Sequence, residues 1–93
     1  MRPMDERISK AISEYNKYRY PEAMAKVIKE DGDLIFVKFD GSFWETYGLY
    51  DWIDDLKYVL LEMGIESEII KIEGSENEYS RIGIFRLKNK INP

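Results

Sequence analysis

Apolar residues recur every three or four positions in two segments of the chain, which is the spacing of an amphipathic helix. The first helix is predicted over residues 4–18. It ends before Pro21, because the residue that precedes a proline is pushed out of the α region. Its apolar face consists of Ile8, Ala11, Ile12, Tyr15 and Tyr18. We expect this face to cover one side of a small core.

The second helix is predicted to begin at residue 50 or 51 and to end at residue 63. Its apolar face consists of Trp52, Ile53, Leu56, Val59, Leu60 and Met63. Gly64 and Ile65 follow, which matches a left-handed C-terminal cap with an apolar contact beside it. The chain therefore offers two helices, each with one face to bury.

Four further segments alternate apolar and polar residues in the manner of β-strands. They cover residues 23–29, 34–39, 66–72 and 79–87. Asp31 and Gly32 separate the first two segments, and an Asp-Gly pair favours a tight hairpin because glycine accepts the positive φ of the turn. A polar turn over residues 74–78 separates the last two. The predicted element order is therefore αββαββ.

This order predicts a two-layer α+β sandwich, with a four-stranded antiparallel sheet and two helices on one face, because both helices can then bury their apolar faces against one sheet. The same order results when the first strand of a ferredoxin-like chain is moved to the end, so we expect a circularly permuted ferredoxin-like fold. A different strand order, or a dimer that pairs edge strands of two copies, remains open. Residues 1–93 are assigned to a single domain.

The predicted second strand carries large apolar residues on both of its faces. Ile35, Val37 and Phe39 point to one side, whereas Leu34 and Phe36 point to the other. A sheet covered by one layer of helices should have a polar outer face. We therefore predict that a partner covers this face. A homodimer is the expected assembly, because a domain of this size has a thin margin of stability.

Composition restricts the chemistry that this domain can perform. The chain contains no cysteine and no histidine, which excludes disulfides, thiolate nucleophiles and His-based general bases. We predict no catalytic residue and no cofactor, and the interpretation leans toward a non-enzymatic protein. No leader and no apolar run of about 20 residues occurs, which predicts a cytoplasmic protein without a membrane partner. The absence of glutamine is typical of a thermophile.

The loop before the second helix is rich in aromatic residues. Phe43, Trp44 and Tyr47 lie in it, and Tyr50 follows near the start of the helix. Exposed aromatic side chains are typical anchors of binding surfaces, because they combine a large contact area with few rotatable bonds. Together with Phe36, these residues are predicted to bind a protein or small-molecule partner. The alternative is that they close one end of the core.

Carboxylates near the same loop form a candidate metal site. Asp40, Asp51, Asp54 and Asp55 could offer oxygen ligands to Mg²⁺ or Ca²⁺, as in a divalent-metal-dependent enzyme. The last three also lie in the first turn of a predicted helix, where the dipole and the unpaired N–H groups favour negative side chains. Capping is the favoured interpretation, so no metal is predicted.

The outer sheet face is also a candidate for binding nucleic acid, which is the second-ranked function. Phe36 or Phe85 could stack on bases while Lys38 or Arg86 holds phosphates. The formal charge of −4 and the pI near 4.9 argue against this interpretation, because phosphate-binding domains are usually basic. A protein or small-molecule partner is therefore favoured over nucleic acid.

Residues 39–56 resemble small archaeal proteins of similar size and unknown function. The resemblance rests on Phe39-Asp40-Gly41-Ser42-Phe43, Gly48-Leu49-Tyr50-Asp51-Trp52 and Asp54-Asp55-Leu56. A cysteine often precedes the glycine in those proteins, where this chain has Tyr47, so thiol or metal chemistry does not carry over. The resemblance implies an archaeal source and no specific activity.

Overall fold

The computed structural model describes residues 6–19, 23–41, 49–74 and 80–88 and, within these ranges, every side chain except those of residues 49–52. It contains helix α1 (Glu6–Arg19), strands β1 (Ala23–Asp31) and β2 (Leu34–Gly41), helix α2 (Leu49–Glu62), and strands β3 (Ser67–Gly74) and β4 (Ser80–Leu87). The predicted αββαββ order and the α+β sandwich are confirmed. The predicted bounds differ from the observed ones by at most two residues.

The strands form one antiparallel sheet in the order β1-β2-β4-β3. Strands β2 and β4 occupy the centre, so the C-terminal strand lies between two strands that precede it in the chain. A ferredoxin-like sheet whose first strand is moved to the end of the chain has this order and these directions. Each edge strand therefore pairs with its neighbour in sequence, and the two hairpins join at β2 and β4.

One face of the sheet packs against both helices and forms the core. The helices contribute Ile8, Ala11, Tyr15, Ile53, Leu56 and Leu60, and the strands contribute Ala23, Ala25, Ile35, Val37, Phe39, Phe85 and Leu87. The prediction that Tyr18 belongs to the apolar face of α1 is wrong. Its side chain is 75% exposed, because the last turn of α1 directs it to a groove between the helices.

Glycines end α2 and form the first hairpin as predicted. Gly64 has a φ of 86°, and its N–H donates to the carbonyl of Leu61 while the N–H of Ile65 donates to the carbonyl of Leu60, both at 2.9 Å. These two bonds define a Schellman cap. Gly32 has a φ of 63° between β1 and β2. At both positions a side chain would be strained by the left-handed backbone.

Each edge strand contains a register shift that the alternation of apolar residues does not predict. Ile28 is the extra residue in β1, and Ile70 is the extra residue in β3. Both side chains are exposed. Bulges twist an edge strand and hinder its pairing with another chain. The edges are therefore less suited than the outer face to contact with a second copy.

Candidate functional site

The sheet face opposite the helices has an apolar centre. Phe36 of β2 lies directly across from Ile84 of β4, and the same face carries Leu34 and Ile82. We call these four residues the outer apolar patch. Ile84 is only 8% exposed, although both described helices pack on the other face. Leu34 and Phe36 alternate with the buried residues of β2, so the outer face of this strand carries apolar residues, as the sequence predicts.

Charged side chains border the outer apolar patch. The Nζ atom of Lys29 lies 5.1 Å from the centroid of the Phe36 ring, which is a cation–π distance. The Nη1 atom of Arg86 lies 3.4 Å from the Oε1 atom of Glu68. Exposed pairs of this kind contribute about 0–1 kcal/mol each. They can therefore be exchanged for contacts with a partner at little cost.

Of the aromatic residues predicted to bind a partner, Phe36 lies in the outer apolar patch. Phe43, Trp44 and Tyr47 lie outside the described residues. Tyr50 belongs to α2, but its side chain is outside the described part of the structure. The binding role of these four residues stays a prediction.

The structure separates two of the candidate metal-ligating aspartates. Asp55 on α2 forms an ion pair with Arg19 on α1, in the helical layer. Asp40 lies on the outer face of β2, where it accepts a hydrogen bond from the hydroxyl of Ser80. The sheet lies between the two carboxylates, so Asp40 and Asp55 cannot bind the same metal ion.

The remaining two aspartates lie on α2. Asp54 is half-buried, and the side chain of Asp51 is outside the described residues. Among the described residues, no three carboxylate side chains are grouped closely enough to hold a metal ion. Because α2 begins at Leu49, Asp54 and Asp55 lie beyond its first turn, which corrects the capping interpretation for these two residues.

Phe85 is not available to stack on a nucleic-acid base, which corrects the prediction for that residue. It is fully buried and packs against Phe39 in the core. Its Cα partner in β2 is Ile35, whose side chain faces the helices, so Phe85 must face them too. Only Phe36 of the two predicted platforms lies on the outer face, and the ammonium of Lys29 approaches its ring.

A groove of about 290 Å³ lies between the outer surfaces of α1 and α2. Tyr18 and Tyr58 border it, and the Arg19–Asp55 ion pair crosses it. Tyr15 is buried at its floor, with its ring edge against Phe39 at a centroid distance of 5.7 Å. Three tyrosines and one ion pair line the groove. The ion pair between Arg19 and Asp55 connects the two helices in addition to their apolar contacts.

Burial raises the pKa of the Tyr15 hydroxyl well above its ordinary value, and the nearby charge of Arg19 partly offsets this effect. A tyrosine in the unfolded chain ionises near pH 10, so above about pH 10 the unfolded state binds fewer protons than the folded state. The free energy of unfolding should therefore fall as the pH rises above about 10. Urea denaturation at a series of alkaline pH values measures this slope.

Tyr15→Phe removes the buried ionisable group and should make the alkaline fall shallower than in the wild type. Tyr18→Phe is the matched control, because it removes the same hydroxyl group from an exposed side chain. An unchanged slope in Tyr15→Phe would contradict this origin of the pH dependence.

A second pocket of about 290 Å³ lies beside the C-terminal half of α2, where β3 begins and β4 ends. We call it the α2–β3 pocket. Six residues line it: Lys57, Tyr58, Leu61, Glu66, Ser67 and Lys88. None of them is among the aromatic residues predicted to bind a partner. The sequence does contain one signal, because Tyr58 and Leu61 are large apolar residues outside the predicted apolar face of the second helix. In the structure their side chains are 57% and 55% exposed.

Comparison of the chain with protein-family models, curated proteins and solved structures found no match. Neither described helix has the length and apolar character needed to cross a membrane.

Proposed function

We propose that this protein is a non-enzymatic interaction module that self-associates through the outer face of its sheet. The observation that carries the proposal is the Phe36–Ile84 pair at the centre of a face that the described helices leave uncovered. Removing apolar surface from water contributes about 25 cal/mol per Å². A second copy that covers the outer apolar patch would therefore add stability to a domain with a small core.

The charges across the outer face favour a second copy of the chain as the partner. One row of paired residues runs from Lys26 on the β1 edge to Glu73 on the β3 edge. When two such faces pack about a twofold axis parallel to the strands, β1 of one copy lies over β3 of the other. Lys26 then faces Glu73 twice. The same axis places Phe36 of one copy over Ile84 of the other.

The neighbouring row ends in two lysines, which would face each other in this arrangement. The Nζ atom of Lys71 lies 3.1 Å from the Oε2 atom of Glu73, and Lys29 lies over the Phe36 ring. Both ammonium groups are therefore drawn toward groups of their own chain. The ammonium groups of Lys29 and Lys71 can therefore stay apart when the two copies pack together.

Phe36→Glu should dissociate the dimer, because the substitution replaces an apolar ring with a charged carboxylate at the centre of an apolar contact. We expect the dissociation constant to rise about a hundredfold or more, which corresponds to roughly 3 kcal/mol. Sedimentation velocity over a concentration series measures the change. Tyr18→Glu is the matched control: it makes the same aromatic-to-acid change on an exposed residue of the helical layer, and it should leave the assembly unchanged.

Charge reversal tests the orientation of the two copies. Lys26→Glu and Glu73→Lys should each weaken the dimer, and the double variant should recover most of the loss. A wild-type chain that sediments as a monomer at high micromolar concentration would refute the proposal. A dimer that survives Phe36→Glu would refute the choice of surface.

A further inference from the structure

The hydroxyl of Ser67 at the start of β3 is buried without a hydrogen-bond partner among the described residues. The residue is 3% exposed, and its Oγ atom is shielded from solvent. A buried hydroxyl without a partner is costly, because the water that it has lost is not replaced. Such a group in a native structure calls for a ligand, a bound water or another explanation.

Ser67 lies in the wall of the α2–β3 pocket. The volume of about 290 Å³ is just below the range of drug-sized sites, which is roughly 300–1,000 Å³, so the pocket suits a small ligand. Tyr58 and Leu61 form an exposed apolar border above it. The pocket therefore combines room for a small molecule, an apolar surface and an unsatisfied polar atom.

The other polar groups of the pocket are mostly hydrogen-bond donors. Lys57 and Lys88 contribute two ammonium groups against the single carboxylate of Glu66, so the pocket carries a formal charge of about +1 in a chain of charge −4. The Nζ atom of Lys88 lies 3.7 Å from the Oε2 atom of Glu68, and both side chains are partly exposed. An exposed pair at this distance is weak, so Lys88 can turn to a stronger acceptor.

We propose that the α2–β3 pocket binds a small molecule that carries a carboxylate or phosphate group on an apolar body. The oxyanion lies between Lys57 and Lys88 and accepts a hydrogen bond from Ser67. The apolar body rests on Tyr58 and Leu61. The Ser67 Oγ atom is shielded from solvent in the free protein, so a change of its χ1 rotamer brings it to the pocket surface. This change breaks no hydrogen bond to any described residue. This site is independent of self-association, because none of its residues belongs to the outer apolar patch.

Isothermal titration calorimetry of the wild-type chain with four probes tests the ligand class. Phenyl phosphate and benzoate carry both the oxyanion and the apolar body, inorganic phosphate lacks the apolar body, and benzyl alcohol lacks the charge. We expect saturable binding of phenyl phosphate or benzoate, and at least tenfold weaker binding of the other two. The stronger of the two anions identifies whether the head group is a phosphate or a carboxylate. No saturable binding of either anion at millimolar concentration would overturn the proposal.

Variants test the assigned residues. Lys57→Gln should lower the affinity for the anion about tenfold. Lys10→Gln removes the same charge from an exposed position on α1 and should leave the affinity unchanged. Equal losses in the two variants would overturn the site, because they would show attraction to the whole chain.

Ser67→Ala has two readouts. It should weaken binding of the anion several-fold. It should also leave the melting temperature of the free protein unchanged or higher, because the removed hydroxyl has no hydrogen-bond partner among the described residues. A lower melting temperature of the free Ser67→Ala variant would show that the hydroxyl already has a partner, and this would overturn its assignment to a ligand. An unchanged affinity would do the same.

Discussion

Replacing Phe39 with alanine is expected to remove a large part of the stability of this protein. Phe39 is fully buried at the centre of the sheet, with its ring against Tyr15 at 5.7 Å and Phe85 at 6.3 Å between centroids. Truncation of a buried phenylalanine costs about 3–5 kcal/mol, through lost transfer free energy and the cavity left behind. Small domains have only about 5–15 kcal/mol in total. Urea denaturation followed by circular dichroism should show a midpoint shifted far toward zero denaturant.

Phe36→Ala provides the matched control on the same strand. The same ring is removed, but Phe36 lies on the outer face and is only half-buried. In a dilute, monomeric sample we expect a loss of about 1 kcal/mol, the usual size of an effect outside the core. Equal losses in the two variants would contradict the assignment of the two faces of β2.

The elements could be predicted from the sequence because local patterns determine them. The alternation of Ile35, Val37 and Phe39 identified the buried face of β2, and Gly64 identified the end of α2. These signals act within a few residues of each other. Local patterns do not determine the strand order, because it depends on the pairing of β2 with β4, whose residues are far apart in the chain.

The bulges could not be predicted from alternation. Ile28 continues the pattern set by Met24, so a regular strand would place both side chains on the outer face. The register instead shifts by one residue, which brings Lys29 opposite Phe36. A single extra residue changes every later side-chain direction in a strand, and the sequence carries no local mark of it.

The candidate site was predictable only in part. Phe36 was placed on the outer face by its position in β2, and this placement is correct. The Arg19–Asp55 ion pair joins two helices that are distant in the chain, so no local pattern pointed to it. Ser67 is the second residue of the strand predicted over residues 66–72, and serine is usually exposed, so no pattern indicates that it is buried. Its burial comes from the packing of α2 and β4 around it, which the sequence does not show.

Gly83→Val is the second substitution with a large expected effect, and two rules disagree on its sign. Valine favours the interior of a β-strand over glycine by up to about 1 kcal/mol. The site itself has no room. A Cβ atom at Gly83 would lie 3.1 Å from Cε1 of Phe85, and 3.2 Å from both Cγ2 of Ile53 and Cε1 of Phe39. Overpacking a tight core costs about 1–3 kcal/mol, so the steric effect should win. Thermal unfolding of Gly83→Val should show a clearly lower melting temperature than the wild type.

Gly74→Val separates the two effects, because a Cβ atom at this position of the edge strand β3 meets no atom of the described residues within 4 Å. Strand propensity acts there alone, and the melting temperature should be unchanged or slightly higher. Gly83→Ala should fall between the wild type and Gly83→Val, since it adds the crowded Cβ atom without the two further methyl groups. If Gly83→Val were as stable as Gly74→Val, α2 could not lie as close to β4 as the contact with Ile53 requires. The close approach of helix and sheet at Gly83 therefore explains why the central strand β4 carries a glycine, a residue of low strand propensity, at a buried position.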